Sequence, residues 1–119
     1  MKLLLVEENK AVRGIIRQLV TAPGTWIQEC ADTAQALAAY AAGRPDFVIM
    51  DAGMKGLDGF DLSRQIMAMD PAARIVLVSD YDDAAMRQSA QLAGACGYVL
   101  KDNLLELKGL LKLIKGDEQ

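Results

Sequence analysis

Apolar residues along this chain fall into two alternating patterns. Short, nearly continuous apolar runs occupy positions 2–6, 25–30, 46–50, 74–79 and 96–100. Runs of that length predict parallel strands covered on both faces. The second run contains Gln28 and Glu29, which makes it the candidate edge strand. Between the runs, apolar residues recur at helical spacing. Val12, Ile15, Ile16 and Leu19 lie on one helix face, and Ala34, Leu37, Ala38 and Ala41 repeat that spacing. Asp32 or Thr33 caps the second helix, and Gly43 and Pro45 stop it. A third helix is predicted over 59–69, ending before Pro71. A fourth, over 83–92, has a thin apolar face of Met86, Ala90 and small residues. The fifth, over 104–115, is rich in leucine.

Five strand–helix units in series predict an α/β fold with one parallel sheet. Right-handed crossovers then place helices on both faces. In such sheets ligands bind beyond the carboxyl ends of the strands. The residues expected there are Glu7 and Glu8 after the first strand and Asp51 after the third. Ser79 and Asp80 follow the fourth strand, and Lys101 the fifth. A lone acidic residue after a strand is more often a helix cap or turn former. The set is more informative, because four of the five strands deliver polar groups to one edge. Clustered carboxylates repel one another. A hard divalent cation such as Mg²⁺ relieves that repulsion, and a nearby lysine can hold a phosphoryl oxygen.

Composition narrows the chemistry. The 119 residues suit a single domain, expected over 1–116 with a polar tail at 117–119. Apolar residues make up 52% and charged residues 24%, a globular balance. The net charge of −3 gives no electrostatic reason to expect direct nucleic-acid binding. The first apolar run is too short for a signal peptide or a membrane span, so a cytoplasmic protein is expected. Cys30 and Cys96 show no CxxC spacing and are expected to be buried, reduced thiols. The chain has no histidine, which removes Ser-His-Asp and Cys-His nucleophile systems, histidine-ligated zinc and imidazole acid/base catalysis.

Four segments carry a family resemblance that spans the chain. They are Leu5-Val6-Glu7-Glu8-Asn9; Val48-Ile49-Met50-Asp51-Ala52-Gly53 with Met54-Lys55-Gly56-Leu57-Asp58-Gly59; Ile75-Val76-Leu77-Val78-Ser79; and Gly97-Tyr98-Val99-Leu100-Lys101. In this order the sequence resembles the receiver domain of two-component response regulators. The resemblance implies a flavodoxin-like (βα)5 fold with strand order 2-1-3-4-5. It implies that Asp51 is the phosphoacceptor, taking a phosphoryl group from a phosphohistidine on a sensor histidine kinase or phosphotransfer protein. It implies Mg²⁺ held by Glu8, Asp51 and the Gly53 carbonyl, with Glu7 acting through water. Lys101 and Ser79 would contact the phosphoryl group, and Ser79 and Tyr98 would form the switch. On this reading the partner supplies the imidazole this chain lacks. The domain is then a phosphoacceptor switch and not a classical enzyme, although it can promote its own phosphorylation and dephosphorylation.

The sequence departs from the family pattern at four places. Glutamates stand at 7 and 8, Lys55 replaces a common proline, Asp80 follows Ser79, and Asp102 replaces the proline after the lysine. Ser79-Asp80-Tyr81-Asp82-Asp83 and Lys101-Asp102 resemble LuxR/NarL-type regulators, which carry a C-terminal helix-turn-helix output domain. No such domain is in this sequence, so a stand-alone or an excised receiver is expected, with the excised form slightly favoured.

Two rival readings are a degenerate receiver that binds partners without phosphorylation, and a flavodoxin-like cofactor binder. The second is disfavoured because no Gly- or Ser/Thr-rich phosphate loop follows the first strand. On the fifth helix, Leu107, Leu110, Leu111 and Ile114 form a core stripe, with Leu104, Leu105 and Leu113 partly outside it. That excess fits either a partner surface, such as a homodimer, or a wide buried stripe. Lys108, Lys112 and Lys115 read as a solvated face, and Trp26 as packing. The fourth helix, poor in large side chains, is the element expected to move on switching.

Overall fold

The computed structural model describes residues 1–54 and 58–116. Strands β1 (Lys2–Val6), β2 (Trp26–Cys30), β3 (Phe47–Asp51), β4 (Ile75–Ser79) and β5 (Gly97–Leu100) alternate with five helices. These are α1 (Lys10–Val20), α2 (Thr33–Gly43), α3 (Gly59–Met69), α4 (Ala84–Leu92) and α5 (Glu106–Gly116). The strands pair in parallel in the order β2-β1-β3-β4-β5, the expected topology.

The pleat sorts the strand residues into two cores. Leu3, Leu5, Phe47, Ile49, Val76, Val78 and Val99 pack with Ile16 and Val20 of α1 and Leu107 and Leu111 of α5. Leu4, Val6, Val48, Met50, Ile75 and Leu77 pack with Ala36 and Tyr40 of α2, Leu62 and Ile66 of α3 and Ala90 of α4. The sheet is therefore sandwiched between two helical layers. Because β3 and β4 are buried on both faces, their sequences carry no polar alternation. Asn9, Asp32, Asp58 and Asp83 cap α1 to α4, each side chain accepting a backbone N–H of the first turn. Such caps contribute about 1 kcal/mol apiece.

Several expectations need correction. The buried face of α2 is Ala36 and Tyr40 with Leu37 beside them, while Ala34, Ala38 and Ala41 are exposed. Alanines surround this helix, so Tyr40 decides its orientation. Trp26 is 74% exposed and packs little. Ile15 is half exposed. Cys30 is buried, but Cys96 is exposed and its Sγ donates to the Ile75 carbonyl at 3.4 Å. The fifth helical region begins as a short 3₁₀ turn, Lys101–Asn103, before α5. Leu104 packs on the core, whereas Leu105 and Leu113 are exposed. No cis peptide bond occurs among the described residues, so the Lys101–Asp102 bond is trans. The Lys55 position lies outside the described residues, as does the tail at 117–119.

Candidate functional site

The site forms at the carboxyl ends of β1, β3, β4 and β5. Val6 pairs with Met50, so one step further along the register Glu7 stands beside Asp51. The Glu7 N–H donates to the Cys30 carbonyl at 3.0 Å and continues the ladder past β1. Glu7 therefore keeps the side-chain direction of Leu3 and Leu5, and Asp51 that of Phe47 and Ile49. Both acids end on the α1/α5 side of the sheet, and both are buried. Glu8, one residue out of phase, is exposed.

Lys101 enters from the end of β5. Its Nζ lies 3.2 Å from Asp51 Oδ2, 3.3 Å from Glu7 Oε1 and 3.9 Å from Asp80 Oδ2. Lys101 follows Leu100 directly and opens the 3₁₀ turn, so its long side chain starts at the carboxyl end of β5. Asp80 sits at the mouth, two-thirds exposed, and contributes charge at the longest of the three distances. Asp51 Oδ1 accepts the Gly53 N–H at 3.0 Å. Glu7 Oε2 accepts the Asn9 N–H at 3.2 Å. Glu7 Oε1 is buried and takes no aligned hydrogen bond. Its approach to Lys101 is an ion pair by distance only.

Electrostatics follow from this crowding. Burial, reinforced by the neighbouring Asp51 carboxyl, pushes the Glu7 carboxyl above its ordinary 4.5. Burial works against the Lys101 ammonium, but the Asp51 and Glu7 carboxylates outweigh it and hold the lysine above its ordinary 10.5. A second tight feature lies under Asp51. A Cβ on Gly59 would stand 2.4 Å from the Asp51 carbonyl oxygen and 2.7 Å from the Ala52 Cα. Only glycine lets α3 start so close to the end of β3.

Ser79 and Tyr98 are linked through Tyr81. The buried Ser79 Oγ accepts the Tyr81 N–H at 3.1 Å, and the Tyr98 hydroxyl donates to the Tyr81 carbonyl at 2.6 Å. The Arg87 guanidinium of α4 lies 5.0 Å above the Tyr98 ring and pairs with Asp82 at 2.8 Å. The sequence marks Tyr81 and Asp82 only as part of the segment that resembles LuxR/NarL-type regulators, with no site role, and gives Arg87 none. The run of three aspartates around Tyr81 was the available signal.

The donor chemistry suits a hard cation. A buried carboxylate oxygen of Glu7 lacks a hydrogen-bond partner beside a second buried carboxylate, Asp51. Among the described residues, however, no three acidic or sulfur-bearing side chains are arranged to hold a metal ion, and Glu8 faces solvent.

Comparison with known proteins agrees with this geometry. Residues 3–114 match the family model described as the response regulator receiver domain. The response regulator MprA of Mycobacterium leprae is 28% identical over 123 residues, covering 99% of this chain and 54% of that protein. The DNA-binding transcriptional activator DevR/DosR of Mycobacterium tuberculosis is 32% identical, over 85% of this chain and 48% of the relative. The chain thus spans about half the length of these curated relatives. A LuxR-family two-component response regulator from Aurantimonas sp. SI85-9A1 superposes with a TM-score of 0.89 at 33% identity, over 98% of this chain and 85% of that one. The chain belongs to the response regulator receiver domain family of two-component signalling.

Proposed function

We propose that this domain is a phosphorylation-controlled switch with Asp51 as its acceptor. The observation that carries the reading is the buried Asp51 carboxylate with the Lys101 ammonium 3.2 Å away, at the switch point of the sheet. An Asp51 carboxylate oxygen attacks the phosphorus of a phosphohistidine on a sensor histidine kinase. The phosphorus–nitrogen bond breaks, an acyl phosphate forms, and the imidazole leaves with a proton from solvent. Because phosphoryl transfer passes through a loose transition state, positioning and charge neutralisation supply most of the catalysis. Lys101 is placed to follow the phosphoryl oxygens. Ser79 would turn its hydroxyl toward them and release the Tyr81 N–H, and Tyr98 would move with it.

Glu8, Asp51 and the Gly53 carbonyl are the groups that would hold Mg²⁺, Glu8 from the solvent side, with the buried Glu7 acting through water. When bound, the ion neutralises developing charge on the phosphoryl oxygens. The DevR/DosR relative is a DNA-binding transcriptional activator, and by that likeness the switch would serve the regulation of transcription. No helix among the described residues is long and apolar enough to cross a membrane, which suits a cytoplasmic regulator.

A second reading is favoured by one observation. The one Lys101 ammonium lies 3.3 Å from Glu7 and 3.2 Å from Asp51 and so compensates both carboxylates. A degenerate receiver would use that closed ion cluster as a static brace and bind partners without phosphorylation. Acetyl phosphate with MgCl₂, followed by intact-mass measurement, separates the two. One phosphoryl adduct on the wild type and none on Asp51→Ala is expected. An unmodified wild type favours the degenerate receiver, and an adduct on both moves the acceptor elsewhere.

A further inference from the structure

The peptide that carries the acidic pair is fastened from outside the site. The Arg13 side chain reaches back from α1, and its Nη1 donates to the Glu7 carbonyl at 2.8 Å. Its Nε pairs with Glu29 Oε1 on β2 at 3.2 Å. Glu29 Oε2 is engaged by Arg17 Nη1 at 2.9 Å. The Arg13 side chain is mostly buried, at 18% exposure, so the guanidinium is held in one place and not sampling solvent. Glu7 is then fixed at every backbone and side-chain polar group except one. Its N–H goes to Cys30, its carbonyl takes Arg13, and its Oε2 takes Asn9. The remaining oxygen, Oε1, faces Lys101.

We propose that Arg13, oriented by Glu29, is a positioning residue that sets where Glu7 and Glu8 stand at the end of β1. Arg13 touches neither Asp51 nor Lys101 and acts only through the Glu7 peptide. The inference rests on the reading of the Asp51 site as the phosphoacceptor centre. The guanidinium fork suits the task, because two of its nitrogens serve two acceptors at a fixed angle. Lysine offers one ammonium at one point and can restore the carbonyl contact but not the bridge to β2. Residues that orient ligands from outside the binding shell typically shift affinity 10- to 100-fold when removed.

The test uses Arg13→Ala, Arg13→Lys, Glu29→Gln and Arg17→Ala beside the wild type, with folding checked by circular dichroism. Backbone amide shifts at Glu8 and Asn9 report the loop, MgCl₂ titration reports cation affinity, and acetyl phosphate reports adduct formation. Arg13→Ala is expected to move the Glu8 and Asn9 amides and to weaken Mg²⁺ binding about tenfold. Arg13→Lys should recover part of both effects, and Glu29→Gln should move them in the same direction by less. Arg17→Ala keeps the Arg13 bridge and should leave both unchanged. Loop amides and Mg²⁺ affinity of the wild type in folded Arg13→Ala overturn the proposal. If Arg13→Ala does not fold, a Glu29→Gln variant identical to wild type overturns it instead. A wild type that takes no phosphoryl group overturns the acceptor reading alone, and the amide shifts still decide the role of Arg13.

Discussion

The Lys101 ammonium lies 3.3 Å from Glu7 Oε1 and so ties the end of β5 to the end of β1 across the two strands between them. Asp51 sits under this bridge at 3.2 Å from the same nitrogen. The three groups form one electrostatic unit, in which a single cation answers two buried carboxylates.

Removing that cation should therefore cost stability as well as function. Lys101→Met keeps the apolar stem but leaves Glu7 and Asp51 facing each other. Taking away one member of a buried ionic group leaves the rest uncompensated, a loss on the order of 3 kcal/mol. Urea denaturation at neutral pH, without divalent cations, measures it. MgCl₂ in excess should narrow the gap between variant and wild type. Equal midpoints in the absence of metal would show that the carboxylates are relieved in some other way.

The same unit sets a pH dependence. Glu7 holds its proton in the folded chain above 4.5, where the unfolded chain has begun to release it. Between those two values the native state binds more protons, so stability falls as pH rises through the interval and levels off above it. Asp70 behaves in the opposite sense. The Tyr40 hydroxyl leads the effects that hold its carboxyl below 3.8, so the stability it contributes is lost as pH falls past that point. At the alkaline end, burial and Asp70 push the Tyr40 hydroxyl up to about 12, and stability drops between its ordinary 10 and that value. The contribution of Lys101, raised above 10.5, is lost in the same range. Unfolding midpoints in metal-free buffer should thus decline from mildly acidic to neutral pH. Glu7→Gln should flatten that decline and leave the alkaline loss in place.

Much of the fold was legible because β3 and β4 read as unbroken apolar runs between capped helices. The site was legible as a set of residues, but its internal order was less so. Glu7 rather than Glu8 is the buried acid because the β1 alternation runs one residue past the strand, from Leu3 and Leu5 to Glu7. That phase was present in the sequence. The α2 face was not, since alanine fits buried and exposed positions alike and only Tyr40 distinguishes them. Nor was the Arg13–Glu29 contact, which joins α1 to β2 and depends on how the first two units pack.

Gly59 carries a sharper structural requirement than its helical position suggests. A methyl group there would overlap the Asp51 carbonyl oxygen and the Ala52 Cα, both backbone atoms that no rotamer change can move aside. Gly59→Ala should cost about 3 kcal/mol, at the upper end of the usual range for overpacking. It should also disturb Asp51, because relief requires shifting the end of β3. Thermal unfolding and the Gly53 amide shift, which reports the bond to Asp51 Oδ1, check the two parts separately. A stable variant with an unmoved Gly53 amide would contradict both.

Tyr98 packs on the core and is further held by one hydrogen bond and one ring contact, and these last two can be separated. Tyr98→Phe removes donation to the Tyr81 carbonyl but keeps the ring under Arg87. The carbonyl belongs to an exposed residue, so water replaces the lost donor and the stability cost should be about 1 kcal/mol. The positional effect should be larger, because the Tyr81 N–H, on the neighbouring peptide group, donates to Ser79 Oγ. Without the phenol bond, the backbone of residue 81 keeps only one of these two anchors. The Ser79 hydroxyl becomes freer to turn toward Asp51. Tyr98→Phe should therefore shift the Tyr81 amide in the resting protein toward its position in wild type treated with beryllofluoride, a phosphoryl mimic. Crystals of wild type with and without the mimic supply the reference. Identical Ser79 and Tyr98 positions in the two would remove the basis for a switch at this pair.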